Sequence, residues 1–332
     1  MTKLFNALLI SQSESGFRKE IREINTDDLP ENDILIKVSY SSLNYKDALS
    51  ASGNKGVTRK FPHVPGIDAA GIIVKSNTPE FPTGASVLVT GFDLGMNTWG
   101  GFGQYISVPA QWVIALPDGL TAKEAMSLGT AGLTAGLSVD KIVRAGIKPG
   151  YGPVIVSGAT GGVGSMASAI MSKLGFDVTA ISGKNEDHFL TSVLGASQII
   201  NREDFTEKYN SKPMSSADFA AGIDNVGGQV LSGILKSVKQ NGIVTCCGNV
   251  SSAELNTSIF PFILRGITLA GIDSAQAPLD LRKSVWRSLA SDWKPLYLEK
   301  MIEEITINEL SQKLEEMLLG KARGRYILKH AD

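Results

Sequence analysis

The feature that most limits the fold is a glycine-rich segment in the middle of the chain, SGATGGVGSMASAI, from Ser157 to Ile170. It packs four glycines into seven residues. The run before it, VIVS (Val154 to Ser157), is typical of a buried strand, and the run SMASAIMSKL (Ser165 to Leu174) is typical of a helix. A strand, a glycine turn and a helix in this order predict a cradle for nucleotide phosphates at the helix N-terminus.

The alternative is a tight strand-to-helix turn that only packs closely. A second strand and helix follow at the spacing of a dinucleotide-binding unit, which favours nucleotide binding. At the end of that second strand the chain reads Ser182-Gly183-Lys184, and Arg202 follows the third strand. A hydroxyl and two cations suit a 2′-phosphate, so we expect NADP rather than NAD. Glu186 and Asp187 are the competing acids, but their charge also suits the start of the next helix.

Composition restricts the class of protein. The chain has 332 residues, with 43% hydrophobic and 20% charged, and 32 basic residues balance 33 acidic ones. This excludes a disordered chain and a general polyanion-binding protein. No apolar run reaches the roughly 18 residues of a membrane span, and no cleavage site follows MTKLFNALLI, so we expect a cytoplasmic protein. The two cysteines, Cys246 and Cys247, are adjacent, which suits small core residues rather than a disulfide framework or a thiolate metal site.

The texture of the chain changes near Lys123. Before it, four short β segments stand between turn signals: ILIKVSY, AAGIIVKS, ASVLVTG and GQYISVP. After it, strand and helix candidates alternate, which predicts a parallel sheet. A final strand, GRYILKH, is expected near the C-terminus.

Six motifs, taken together, resemble a known family: SSLNYKDALSASG, FPHVPGIDAAG, GGFGQYISVP, GTAGLTAGLSV, GATGGVGSMA and DNVGG. Their order resembles the zinc-free quinone oxidoreductase branch of the medium-chain dehydrogenase/reductase superfamily, and most closely its bacterial quinone oxidoreductase and acrylyl-CoA reductase group. The resemblance implies an α/β fold in which a Rossmann domain, a doubly wound parallel sheet, is inserted in a GroES-like, mostly β substrate domain. The expected domains are 1–124 (substrate), 125–268 (NADP-binding) and 269–332 (return to the substrate domain).

The resemblance also implies that no metal is bound. Zinc-containing relatives carry a cysteine ligand where this chain reads LNYKD, a GHE where it reads Gly66-Ile67-Asp68, and a lobe with four cysteines. The three histidines, His63, His188 and His330, are scattered and do not replace those ligands. Asp68 is therefore expected to be a structural or active-site polar residue.

By resemblance, cofactor contacts fall on residues in both domains. They are Tyr45, Thr160, Gly161, Gly162, Val163, Ser182, Gly183, Lys184, Arg202, Asn249, Ile263 and Ser274. Lys184 stands where an arginine is common in the group, which keeps the charge but loses the planar fork. The family also implies a homodimer joined at the edges of its Rossmann domains, with GIVTCCGN and the segment after it near that edge.

Candidate catalytic residues lie in LNYKD. Asn44 can donate a hydrogen bond, Tyr45 can donate one or supply a proton, and Asp47 can orient a neighbouring side chain. Each has a structural alternative: a turn for Asn44, stacking beside the nicotinamide for Tyr45, and a cap for a helix starting near Asp47.

Two further groups bear on the acceptor. Lys55, Arg59 and Lys60 can meet the phosphates of coenzyme A or simply form a solvated face. Phe92 and Trp99 can line an apolar pocket or pack in the core.

The expected function is NADPH-dependent reduction of an activated C=C bond, with acrylyl-CoA to propionyl-CoA as the leading reaction. A quinone reductase is the alternative within the same class. A nucleotide-binding sensor without turnover is the alternative from another class.

Overall fold

The computed structural model describes residues 2–14 and 16–331. The strands, in chain order, are β1 (Leu4–Ser13), β2 (Gly16–Asn25), β3 (Ile34–Ser42), β4 (Asp68–Ser76), β5 (Ser86–Thr90), β6 (Tyr105–Val108), β7 (Ile114–Ala115), β8 (Val154–Val156), β9 (Val178–Ser182), β10 (Gln198–Asn201), β11 (Phe219–Asp224), β12 (Val238–Cys246), β13 (Thr268–Gly271), β14 (Ile302–Ile305) and β15 (Arg325–Lys329). The helices are α1 (Tyr45–Ala51), α2 (Ala122–Arg144), α3 (Gly162–Lys173), α4 (Arg202–Asn210), α5 (Gly228–Ser237), α6 (Phe260–Arg265), α7 (Leu279–Leu289) and α8 (Leu310–Leu318).

The chain divides into two compact units. Unit 1 comprises Met1–Thr130, Ala275–Ala290 and Ile302–Asp332, and unit 2 comprises Ala131–Ser274 and Ser291–Met301. Unit 2 is thus an insertion in unit 1. The first crossing between the units lies at Thr130/Ala131, six residues after the position expected from sequence texture, and the second lies at Ser274/Ala275 rather than after residue 268.

The first crossing falls within α2, just after a break in that helix. α2 is interrupted at Gly129, whose φ of 54° and ψ of −156° are not helical. A side chain there would be strained, and its Cβ would lie 2.6 Å from Asp68 Oδ2. The sequence shows uniform small and apolar residues across this point, so it does not reveal the break.

Unit 2 contains a six-stranded sheet in the order β10-β9-β8-β11-β12-β13. Every neighbouring pair is parallel. Numbered within the unit, this is the strand order 3-2-1-4-5-6 of a doubly wound nucleotide-binding sheet. β8, β9 and β11 are buried along their whole lengths, as expected for strands covered by helices on both faces.

Unit 1 contains a seven-stranded sheet and a hairpin of β1 and β2. The sheet has the order β14-β15-β3-β4-β5-β7, with β6 also paired to β3. Apart from the parallel pair β14 and β15, its strands are antiparallel. The C-terminal strand β15 lies next to β3, which places residues from the two ends of the chain side by side.

The four β segments predicted before Lys123 correspond to β3, β4, β5 and β6, and GRYILKH corresponds to β15. α3 begins at Gly162, three residues before the expected start at Ser165. The helix expected after the second strand of the dinucleotide-binding unit includes a π-helical turn over Phe189–Val193. None of the helices in the described ranges is long and apolar enough to cross a membrane.

Candidate functional site

The glycine segment forms the turn between β8 and α3 at the carboxyl edge of the parallel sheet. Gly161 precedes α3 and has no side chain that could cap the helix. The first backbone N–H groups of the helix therefore have no hydrogen-bond acceptor within the helix. Gly164 packs directly on the turn, since a Cβ at this position would lie 2.3 Å from the Gly158 carbonyl oxygen. An uncapped helix N-terminus beside the central strand β8 suits a pyrophosphate.

A buried polar group next to this turn was not found from the sequence. The Ser157 hydroxyl donates to Asp224 Oδ1 (2.7 Å) and accepts from the backbone N–H of Asn225 (2.8 Å). Asp224 Oδ2 accepts from the Gly227 backbone N–H (2.7 Å), and burial raises the pKa of Asp224. These bonds join the loops that follow β8 and β11, where the strand order reverses. An acid at the end of a buried strand, in DNVGG, was the available signal.

The four residues expected at the adenosine end lie together. Ser182 ends β9, and its hydroxyl accepts from the Lys184 backbone N–H (3.0 Å), which fixes the turn. Arg202 begins α4 directly after the neighbouring strand β10, and its guanidinium Cζ would lie 3.3 Å from a Cβ on Gly183. Burial lowers the pKa of Lys184, while the charge of Glu186 opposes that shift. Two cations therefore stand at the ends of adjacent strands.

The remaining candidates in unit 2 are more dispersed. Asn249 lies beside the loop after β11, with its Cα 3.4 Å from the position of a Cβ on Gly227. Ser274 Oγ accepts a hydrogen bond from Thr134 Oγ1 (2.7 Å). Ile263 is on α6 with its side chain 62% exposed, so it remains open to a ligand or to another protein surface.

In unit 1, the LNYKD segment begins α1. The helix starts at Tyr45, two residues before Asp47, and Tyr45 is 42% exposed. Asp47 is the third helical residue and is fully buried: its Oδ2 accepts from the Asn44 backbone N–H (2.8 Å) and its Oδ1 from that of Ile67 (2.8 Å). Its carboxylate ties the start of α1 to the segment before β4. The structure therefore shows Asp47 in the capping role that was its structural alternative.

Asn44 is held at both ends of its side-chain amide. Its Nδ2 donates to Asp68 Oδ2 (2.8 Å), and its Oδ1 accepts from Arg325 Nη1 (3.2 Å). Arg325, from β15, also donates to the Leu43 carbonyl (2.9 Å) and is almost fully buried. Asp68 additionally accepts from the Thr130 backbone N–H (2.8 Å). This buried network orients the segment that carries Tyr45.

The network holds charges that are expensive to bury. Burial, and then the negative charge of Asp68, raises the pKa of Asp47 to about 7 from its ordinary 3.8. Burial also lowers the pKa of Arg325, an effect opposed by Asp68 and Asp47. Arg325 Nη2 lies 4.0 Å from Asp68 Oδ2, a charge contact that lies beyond hydrogen-bond distance.

The other sequence candidates make packing contacts. Phe92 stacks on Trp112 with ring centroids 5.5 Å apart, and the Arg282 guanidinium lies 4.2 Å from the Phe92 ring centre. Trp99 packs against the core around the hairpin. Burial raises the pKa of the Cys247 thiol to about 12, so it is not a thiolate, and the pKa of the half-buried Cys246 is raised as well.

The three basic residues Lys55, Arg59 and Lys60 differ in their surroundings. Lys55 Nζ lies over the rings of Phe17 (5.3 Å) and Phe61 (4.9 Å), while Arg59 and Lys60 are exposed.

Across residues 2–14 and 16–331, no group of three or more His, Cys, Asp or Glu side chains is placed to hold a metal ion.

Comparison with known proteins gives the family. Residues 30–118 match the alcohol dehydrogenase GroES-like domain, and residues 162–291 match the zinc-binding dehydrogenase family. The chain is 40% identical over 330 residues to YhfP of Bacillus subtilis, named as a putative quinone oxidoreductase, covering 99% of this chain and 100% of YhfP. It is 38% identical over 327 residues to the acrylyl-CoA reductase AcuI of Ruegeria pomeroyi, covering 98% of this chain and 99% of AcuI.

Solved structures agree with this result. The yhdH oxidoreductase of Salmonella enterica in complex with NADP has a TM-score of 0.94 and 38% identity, covering 100% of both chains. YhfP with NAD bound has a TM-score of 0.96 and 40% identity, covering 99% of this chain and 100% of YhfP. The predicted Rossmann and GroES-like fold is confirmed, and the chain belongs to the medium-chain dehydrogenase/reductase superfamily, in the group of YhfP and AcuI.

Proposed function

We propose that this protein is an NADPH-dependent reductase of activated carbon–carbon double bonds, with acrylyl-CoA as substrate and propionyl-CoA as product. The observation that carries the proposal is the end-to-end identity of 38% with the AcuI acrylyl-CoA reductase. The pair of cations at the ends of β9 and β10 supports NADPH as the cofactor, as does the NADP in the Salmonella relative. Unit 2 is the cofactor domain in this proposal, and unit 1 is the substrate domain.

The residues present fit the cofactor. The uncapped N-terminus of α3, with Thr160, Gly161, Gly162 and Val163, would hold the pyrophosphate. Lys184 and Arg202 would hold the 2′-phosphate, with Ser182 and Gly183 shaping the turn. Asn249, Ile263 and Ser274 would lie toward the nicotinamide, and the resemblance to the family assigns Tyr45 to the cofactor contacts as well.

The chemistry needs positioning and polarisation. When bound, NADPH supplies the hydride that reduces the β-carbon of the conjugated acceptor. Negative charge then grows on the thioester carbonyl oxygen, and a proton must reach the α-carbon. The exposed Tyr45 hydroxyl donates a hydrogen bond to that oxygen or supplies that proton. Asn44, Asp47, Asp68 and Arg325 are positioning residues that fix the backbone around Tyr45.

A quinone is the second candidate acceptor. The observation that favours it is the 40% identity with YhfP, whose name is that of a quinone oxidoreductase. YhfP has been solved with NAD bound, and a lysine at position 184 lacks the planar fork of arginine. The preference for NADPH over NADH is therefore expected to be modest. A nucleotide-binding sensor, without turnover, would keep the same cofactor site.

We infer further that the protein is a cytoplasmic homodimer. β13 forms one edge of the six-stranded sheet, with β12 and its GIVTCC sequence one strand inside. Two apolar side chains of the segment that leads into β13, Ile259 and Leu264, are exposed. Pairing of β13 with its copy across a two-fold axis would cover both features.

Turnover with four acceptors tests the proposal. Oxidation of NADPH and of NADH is followed at matched concentrations with acrylyl-CoA, crotonyl-CoA, a small enone and a benzoquinone. The expected result is a kcat/KM highest for acrylyl-CoA with NADPH. Turnover of benzoquinone alone would assign a quinone reductase, and tight NADPH binding with no turnover would assign a sensor.

A further inference from the structure

A cavity lined mainly by polar residues lies in unit 2, away from the proposed cofactor site. It has a volume of about 460 Å³ and is lined by Asn210, Ser211, Lys212, Pro213, Lys236, Asn256, Thr257 and Ser258. α5 ends at Ser237 and β12 begins at the next residue, so this cavity opens at the amino edge of the parallel sheet. The glycine turn follows the carboxyl end of β8, on the opposite edge. The cavity is therefore separate from the proposed NADPH site.

One of the lining residues, Lys236, is buried as a whole. The Lys236 side chain is only 9% exposed, and its Nζ donates to Asn210 Oδ1 (3.0 Å). An ammonium has three protons to donate, and no carboxylate is among the lining residues. The loss of water around this group lowers the pKa of Lys236. A buried cation with a single neutral acceptor is unusual, because buried charges are normally paired.

Two hydroxyl groups of the lining residues are also available as hydrogen-bond donors. Thr257 Oγ1 and Ser258 Oγ are buried, and within the described residues neither has a hydrogen-bond partner. Buried hydroxyl groups are almost always hydrogen-bonded, so a missing partner calls for a ligand or an ordered water. The loop that carries them is fixed to α5 by a bond from Ser232 Oγ to the Asn256 carbonyl (2.8 Å).

The negative end of the α5 dipole would oppose an anion here. Arg265 offsets it: Nη1 donates to the carbonyls of Lys236 (2.9 Å) and Val238 (3.1 Å). The exposed Lys212 adds a further positive charge at the mouth.

We propose that this cavity, lined by Lys236, Thr257 and Ser258, binds the phosphate group of a small molecule, separately from the cofactor. The ammonium and the two hydroxyls supply donors, and the cavity is large enough for a free phosphate or a small phosphomonoester. Occupancy would complete the hydrogen bonds of the loop that covers α5.

Calorimetric titration with inorganic phosphate at constant ionic strength tests this site. Because Lys184 and Arg202 also attract phosphate, the full-length chain carries K184A and R202A in every sample. We expect saturable binding with a Kd of roughly 1 mM, and at least tenfold weaker binding after Lys236→Met. The matched control, Lys239→Met, removes an ammonium that donates to the Tyr151 carbonyl and does not line the cavity. It should bind phosphate as before.

A second variant, Thr257→Val with Ser258→Ala, keeps the test valid if Lys236→Met fails to fold. It should weaken phosphate binding several-fold. Tighter binding of phenyl phosphate would identify an organic phosphate as the ligand, and equal binding would identify inorganic phosphate. Acetate binding of equal strength, non-saturable heats, or phosphate binding unchanged in both cavity variants would overturn the proposal.

Discussion

Replacing Lys184 by alanine removes one of the two cations at the ends of β9 and β10. We expect the Kd for NADPH to rise by roughly tenfold, because a charge-assisted contact to the 2′-phosphate is lost. NADH lacks that phosphate, so its Kd should stay nearly constant. Fluorescence titration with both cofactors measures the effect. The exposed Lys148, changed to alanine, is the control for a general loss of positive charge. Equal weakening of both cofactors would contradict the role of Lys184.

Tyr45→Phe removes one hydroxyl and leaves the ring that stacks or packs. If the hydroxyl polarises or protonates the reacting acceptor, kcat with acrylyl-CoA should fall by roughly a hundredfold. The Kd for NADPH should change by less than about twofold, because uncharged hydrogen bonds contribute little net binding. Steady-state kinetics and cofactor titration separate the two effects. An unchanged kcat would leave Tyr45 only a packing role.

At the scale of single elements, the turn between β8 and α3 depends on Gly164. A methyl group in Gly164→Ala would meet the Gly158 carbonyl oxygen at 2.3 Å, so either the turn or the helix must shift. We expect a loss of roughly 1–3 kcal/mol in the free energy of unfolding, together with weaker binding of NADPH and NADH alike. Gly161→Ala is the matched control for stability, since its Cβ would lie 3.3 Å from the same oxygen. Equal melting temperatures for both variants would argue against close packing at Gly164.

The start of α1 should make stability depend on pH through Asp47. The folded protein holds the Asp47 proton up to a pKa of about 7, whereas the unfolded chain releases it near 3.8. The contribution of Asp47 to the free energy of unfolding is therefore fully present below pH 3.8 and is lost as the pH rises to about 7. Between pH 4.5 and 8 the loss is on the order of 3 kcal/mol as an upper limit.

Urea unfolding of the wild type and Asp47→Asn at several pH values measures this effect. The variant should be less stable overall, because one amide oxygen cannot replace both carboxylate oxygens. Its profile should fall less steeply between pH 4.5 and 8. Burial lowers the pKa of His330 to about 4, which gives an opposite slope in both proteins, so the difference between them isolates Asp47. Parallel profiles would show that Asp47 does not titrate in this range.

Local signals explain which elements were predictable from sequence. The strand β8, the glycine turn and α3 are continuous in the chain, and each leaves its own pattern of apolar residues or glycines. The true start of α3 was missed because glycines at the turn hide the first helical positions. The buried hydrogen bonds leave no such local pattern, because their partners are far apart in the sequence. Arg325 and Asn44 are 281 positions apart, and Ser157 and Asp224 are 67 apart. An isolated arginine in GRYILKH resembles any surface cation until β15 is placed beside β3.

At the scale of the whole molecule, the insertion of unit 2 explains why the segment that carries Tyr45 depends on a strand near the end of the sequence. Unit 1 is assembled from three separate stretches of chain, and β15 returns to pair with β3. Arg325 on β15 then fixes Leu43 and Asn44 immediately before Tyr45. A truncated chain without β15 would lose this clamp, and with it the orientation of Tyr45.

The open edge of the six-stranded sheet leads us to predict that two copies of the chain assemble. The open edge of β13 and the apolar side chains beside it would be covered in a dimer, so light scattering should give roughly twice the 35.3 kDa of one chain. Leu264→Lys places a charge in that surface, where the side chain is 61% exposed, and should yield a monomer at micromolar concentration. Leu296→Lys, at a residue that is 70% exposed elsewhere on the same unit, should stay dimeric. A monomeric wild type would refute the dimer, and a dimeric Leu264→Lys would move the interface away from β13.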